Sequence, residues 1–152
     1  MKAVLISGGM DPLHFGHLEY IRAAARLGQV IVLLNSDDWL NRKKGYALLD
    51  WDTRAEILRE MRNVYAVWEV EDADNTVCSG IRKAKQVLGN AEIIFAKGGD
   101  RTEENTPEQD VCKQLGIKVV FGVGGEKIAS SSDIVRAARK NRPVVCVHEE
   151  GR

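Results

Sequence analysis

Ala3-Val4-Leu5-Ile6-Ser7-Gly8-Gly9-Met10-Asp11-Pro12-Leu13-His14-Phe15-Gly16-His17 decides how the rest of the chain is read. Its first four residues form an unbroken apolar run, the pattern of a strand buried on both faces of a parallel sheet, and the glycines stop it at once. From Phe15 to Leu27 the apolar positions Leu18, Ile21, Ala24 and Ala25 return at helical spacing, with Gly28 placed as the C′ residue. A strand that turns through glycine into a helix aims backbone N–H groups and the positive end of the helix dipole at the carboxyl edge of the sheet. Phosphate chemistry is the natural use of such a place. No Gly-Lys-Ser/Thr follows, and the turn does not read Gly-x-Gly-x-x-Gly, so neither the P-loop nor the dinucleotide fingerprint applies.

Working outward, the alternation of strand and helix repeats. Val30 to Leu34 reads as a strand, Thr53 to Met61 as a helix, Val64 to Val70 as a strand, and Thr76 to Leu88 as a helix closed by Gly89. Ile93 to Ala96 and Ile117 to Val123 supply two more strands, with a helix from Pro107 to Leu115 between them. Ser131-Ser132-Asp133 caps a last helix ending near Lys140, and the tail from Val144 to Arg152 reads as a short strand-like segment with a charged end. The expected fold is α/β, a Rossmann-like three-layer sandwich with a five-stranded parallel sheet, in a single domain over residues 1–152.

Composition bounds the partner. At 152 residues, 44% hydrophobic and 29% charged, the chain can bury one real core. Lys plus Arg number 22 and Asp plus Glu 22, so no overall basic field exists to hold a nucleic acid, and a small molecule is expected instead. Cys78, Cys112 and Cys146 are odd in number and far apart, which fits reduced thiols and a cytoplasmic protein. The apolar run after Met1-Lys2 is too short for a signal segment or a membrane span.

The distinguishing feature is the pair His14 and His17, at i and i+3 on the opening helical turn with Gly16 between them. Transfer of a nucleotidyl group needs donors for the charge that builds on the α-phosphate and on departing pyrophosphate more than it needs a covalent nucleophile. Two imidazoles and helix N–H groups supply them. The histidines have no third partner at the spacing of a metal site, so no resident metal is expected. Gly9-Met10-Asp11-Pro12-Leu13-His14-Phe15-Gly16-His17 resembles the Gly-x-Phe-Asp-x-x-His-x-Gly-His signature of the cytidylyltransferase-type nucleotidyltransferase superfamily, with Met10 in place of the usual Phe.

That resemblance extends to about Arg139 and implies roles for further segments. Gly8, Gly9, Met10, Asp11 and Gly16 would form the phosphate turn, with Asp11 holding its shape. Asn35-Ser36-Asp37-Asp38 ends the second strand, where Asp37 would accept substrate hydroxyls or cap a helix. Asn41-Arg42-Lys43-Lys44-Gly45 reads as a cationic loop able to close on phosphate; Lys44 aligns with the family's loop lysine as a catalytic cation, with Lys43 beside it at the acceptor. Arg54 would contact phosphate or pair with a carboxylate. Lys97, Gly98, Gly99 and Asp100 would meet the base or ribose, and Ser130, Ser131 and Ser132 the β- and γ-phosphates. Trp39, Trp51, Trp68 and His148 receive no catalytic role.

The combination of segments is most similar to the adenylyltransferase domain of ADP-heptose synthases, which implies ATP with Mg²⁺ and a sugar 1-phosphate, and the family's habit implies a homodimer. Glycerol-3-phosphate cytidylyltransferase is the second reading and phosphopantetheine adenylyltransferase the third; a non-catalytic nucleotide-binding module comes from another class. One departure bears on the base. The arginine that the glycerol-phosphate enzymes carry five residues before the first of the three serines is Gly125 here, so either Lys127 replaces it or the nucleotide is not CTP.

Overall fold

The computed structural model describes residues 1–99, 101–126 and 129–140. Five parallel strands form one sheet: β1 (Lys2–Gly8), β2 (Gln29–Leu34), β3 (Val64–Glu69), β4 (Glu92–Ala96) and β5 (Lys118–Val120), in the order β3-β2-β1-β4-β5. The helices are α1 (Phe15–Ala25), α2 (Asp37–Lys44), α3 (Trp51–Arg59), α4 (Cys78–Leu88), α5 (Gln109–Gln114) and α6 (Ser131–Arg139). The chain builds outward from β1 to β3, then returns past β1 to β4, so the order reverses between β1 and β4. In open α/β sheets ligands enter the crevice beyond the carboxyl ends of the strands at such a reversal.

The three layers follow from the two-residue period of β1. Ala3 and Leu5 face one side, where they pack with Ile31, Phe95 and the α4 and α5 residues Ile81 and Cys112. Val4 and Ile6 face the other, packing with Ile21 of α1 and Ala55 and Leu58 of α3. Both faces of β1 are dry, as its unbroken apolar sequence requires. Gly80 sits where α4 crosses the sheet; a Cβ there would stand 2.6 Å from Val70 Cγ1, so the helix approaches as closely as it does only with glycine.

Several boundaries differ from the sequence expectation, each for a local reason. The segment read as a cationic loop is helix α2: Ser36 Oγ accepts the N–H of Trp39, Asp37 and Asp38 occupy the positive end, Arg42, Lys43 and Lys44 the negative end, and Gly45 closes it at φ 86°. Gly28 acts not through a left-handed conformation but through a close approach, since a Cβ would lie 2.5 Å from the Lys2 carbonyl oxygen. β5 stops at Val120 because Gly122, Gly124 and Gly125 all take positive φ, of 68°, 91° and 78°. The cap of the last helix is Ser130, whose Oγ accepts the Asp133 N–H. The strand-like tail, Cys146 and His148 lie outside the described residues.

Burial pushes the Cys112 thiol up to about 12, with Glu108 and Cys78 adding to the effect. At pH 8 only on the order of one molecule in 10⁴ then carries the thiolate. Iodoacetamide treatment of the folded protein followed by peptide mass mapping is expected to leave Cys112 unmodified; stoichiometric alkylation within minutes would refute its burial.

Candidate active site

A cleft of about 420 Å³ opens at the reversal between β1 and β4. Its wall on the α1 side begins with the two histidines. His14 is the N-cap of α1, in extended backbone, and its Nδ1 accepts the Gly16 N–H at 3.0 Å. His17 reaches back, and its Nδ1 accepts the His14 N–H at 3.2 Å. The two therefore form a capping box with imidazoles in place of the usual hydroxyl and carboxylate. Their rings lie 3.9 Å apart, centroid to centroid, tilted by 31°.

This geometry fixes the chemistry of the rings. A nitrogen that accepts an N–H carries no hydrogen, so each neutral imidazole holds its proton on Nε2. Both side chains line the cleft, which places two N–H donors where an anionic oxygen would develop charge. The backbone thus sets the tautomer.

The remaining predicted residues divide into those the cleft brings together and those it does not. Gly8, Gly9, Met10 and Gly16 line it, as do Lys97, Gly98 and Gly99 on the β4 side. Ser130, Ser131 and Ser132 line it from the start of α6, and Lys43 and Lys44 from the end of α2. Asp100 and Lys127 lie outside the described residues. Two helix N-termini, of α1 and α6, therefore reach one cleft. Two of the serines also have structural bonds: Ser130 caps α6, and Ser131 Oγ donates to the Pro12 carbonyl at 2.9 Å, tying α6 to the β1–α1 turn.

Three predicted residues stand behind the cleft. Asp11 is fully buried, and its two carboxylate oxygens accept the N–H groups of Leu48 and Leu49 at 2.6 and 3.0 Å. Its side chain holds the turn against the α2–α3 connection, and Asp11 is not among the residues that line the cleft. Arg54, read as a phosphate contact or as the partner of a carboxylate, is 0% exposed. Its guanidinium donates to the carbonyls of Gly9, Asn35 and Leu49 at 2.7, 2.9 and 2.9 Å, and to Asp37 Oδ1 at 2.5 Å. The ion pair, not the phosphate contact, is realised. Asp37 is turned toward that pair and is not part of the cleft wall.

Further groups in and behind the cleft set its geometry. Asp72 is a buried carboxylate that accepts from Asn35 Nδ2, Ser36 N and Ser36 Oγ at 3.0, 2.8 and 2.6 Å, so it sets the start of α2 and, through it, Lys43 and Lys44. Tyr20 of α1 donates its hydroxyl to the Ala96 carbonyl, and burial raises its pKa far above the ordinary tyrosine range, so it stays a donor. Trp39 lines the cleft with Lys43 Nζ stacked 4.6 Å over its ring. Trp51, by contrast, is structural, its Nε1 donating to the Leu34 carbonyl. Lys97 Nζ donates to Ser7 Oγ at 3.2 Å, joining β4 to β1 across the reversal. A Cβ on Gly99 would collide with the Gly125 carbonyl, so position 99 takes glycine, and Gly125 itself has φ 78°, in the left-handed region where arginine would be strained.

The reversal of the parallel sheet thus brings together two imidazoles, two helix N-termini and a lysine pair. The chain belongs to the cytidylyltransferase-like family, whose model matches residues 5–150. The bifunctional protein HldE of Geobacter metallireducens is 34% identical over 143 residues, 90% of this chain and 27% of that protein. HldE of Gluconobacter oxydans is 34% identical over 123 residues, covering 79% and 24%. The chain thus spans about a quarter of the length of the curated relatives it matches. The crystal structure of a lipopolysaccharide core biosynthesis protein from Thermoplasma volcanium shares the fold, with a TM-score of 0.63 at 22% identity, over 80% of this chain and 94% of that one. Among the described residues no helix is long and apolar enough to cross a membrane.

Proposed function

We propose that this domain transfers AMP from ATP to a sugar 1-phosphate, forming an ADP-sugar and releasing pyrophosphate. The observation that carries the reading is the histidine pair, whose Nδ1 atoms are held by backbone N–H groups so that both rings present Nε2–H. ATP enters as its Mg²⁺ complex. A phosphate oxygen of the acceptor attacks the α-phosphorus in line, the bond to the bridging oxygen breaks, and the electron pair leaves with pyrophosphate. His14 and His17 donate to the α- and β-phosphate oxygens, the N-terminus of α6 with Ser132 holds the β- and γ-phosphates, and Lys44 and Lys43 hold the acceptor phosphate. Gly98 and Gly99 let the base lie close to the backbone beyond β4.

Adenine and a sugar phosphate are favoured by the Lys97-Gly98-Gly99-Asp100 segment, by glycine at 125, and by the HldE relatives. Within that class the acceptor is a heptose 1-phosphate, as the resemblance to ADP-heptose synthases implies. A homodimer acting in the cytoplasm belongs to the same reading.

Pyrophosphate release measured with ATP, CTP, GTP and UTP against D-glycero-β-D-manno-heptose 1-phosphate, glycerol 3-phosphate and phosphopantetheine tests the assignment. The expected result is release that is fastest with ATP and the heptose phosphate. Fastest release with CTP and glycerol 3-phosphate overturns the choice of substrate, and tight nucleotide binding without release from any pair indicates a binding module.

A further inference from the structure

Three acidic residues line the cleft, Glu19, Glu108 and Glu126, and of these Glu108 is the buried one. Glu108, at the N-cap of α5, is 6% exposed, yet its side chain belongs to the cleft. Oε1 accepts the N–H of Val77, the N-cap of α4, at 3.1 Å. No other described residue bonds this carboxylate. Among the described residues no fully buried side-chain oxygen lacks a partner, so the second oxygen, Oε2, keeps some solvent exposure in a residue that lines the cleft.

The position of Glu108 separates it from the phosphate groups. α4 and α5 cover the sheet face opposite to α1, so Glu108 stands across the β1–β4 reversal from the histidines. Asn75 lines the same cleft and is fixed beside it in the chain leading to α4, at φ 64°. Its Oδ1 accepts Arg42 Nε at 3.2 Å, which orients the amide and leaves its NH₂ as a donor. A carboxylate oxygen accepts a hydroxyl proton, and an amide NH₂ donates to a hydroxyl oxygen; together they suit a polyol and repel a second phosphate.

We infer that Glu108, with Asn75, reads the hydroxyl groups of the acceptor, so that the carbon skeleton of a polyhydroxylated phosphate ester lies along the α4–α5 wall while its phosphate faces Lys43 and Lys44. The inference rests on the transfer reading above and adds the part of the site that selects a sugar phosphate over other phosphate esters.

Glu108→Gln tests it. Glutamine keeps an oxygen for the Val77 N–H and nearly the same volume, and a thermal melt within a few degrees of the parent checks the fold. The Kd of heptose 1-phosphate, titrated calorimetrically in the presence of a non-hydrolysable ATP analogue, is expected to rise tenfold or more, because a charge-assisted bond becomes a neutral one. The Kd of ethyl phosphate, which has no hydroxyl, is expected to stay within twofold, as is that of the ATP analogue. Equal heptose-phosphate affinity in parent and variant, or an equal loss with ethyl phosphate, overturns the role of Glu108. Absence of pyrophosphate release from the parent protein with every sugar phosphate overturns the transfer reading instead.

Discussion

Replacing His17 by alanine is expected to lower kcat by about 10²–10³-fold, the usual loss when one preorganised donor to a developing oxyanion is removed. The same change removes one bond of the α1 cap, the acceptor for the His14 N–H, which costs about 1 kcal/mol. Two conservative variants separate these effects. Asparagine places an oxygen where Nδ1 stands, so His17→Asn keeps the cap and loses the Nε2 donor. Glutamine places an NH₂ near Nε2, so His17→Gln keeps the donor and loses the cap. Single-turnover rates and thermal melts are expected to diverge: His17→Asn stable and slow, His17→Gln less stable and faster than His17→Asn. A His17→Asn variant with near-parental turnover contradicts the assigned role.

The second large effect falls on stability. Arg54→Met removes a guanidinium that satisfies three carbonyls and one carboxylate behind the cleft. Each carbonyl left without a donor costs about 1–3 kcal/mol, but Asp37 is partly exposed and recovers hydration. A net loss of about 3–5 kcal/mol is expected, comparable to breaking a buried pair from one side. For a chain of this size that corresponds to a fall in Tm of about 10 °C or more. Arg54→Lys is expected to recover little, because one ammonium cannot serve the carbonyls of Gly9, Asn35 and Leu49 as a fork does. Urea unfolding that shows a loss below about 1 kcal/mol would refute the structural role given to Arg54.

These two residues mark what the sequence does and does not reveal. His14 and His17 are legible because strand, glycine turn and helix are consecutive, and the spacing alone brings both rings onto one turn. Arg54 is not, because three of its partners are backbone carbonyls at positions 9, 35 and 49, which no side-chain pattern encodes. Helix α2 was written in its caps and charge order, but its polar composition, with Leu40 its buried residue, hides it from a reading based on apolar periodicity. Asp72 and Glu108 are single acids in connecting segments; only the sheet order brings Asp72 under Ser36 and Glu108 to the cleft. Gly125 reads in sequence as a missing arginine, whereas in three dimensions it takes φ 78° beside Gly99, whose lack of a Cβ lets the Gly125 carbonyl approach.

In the proposed reaction the cleft around His14 and His17 moves a nucleotidyl group onto a phosphorylated acceptor. That transfer is tested most directly by following the α-phosphorus of ATP labelled at that position, with heptose 1-phosphate as acceptor. The account predicts that label appears in the ADP-sugar at the rate at which pyrophosphate forms, and that the His14→Ala, His17→Ala double variant transfers none while still folding. Label that stays in ATP, or that reaches free AMP and never the sugar, would contradict it.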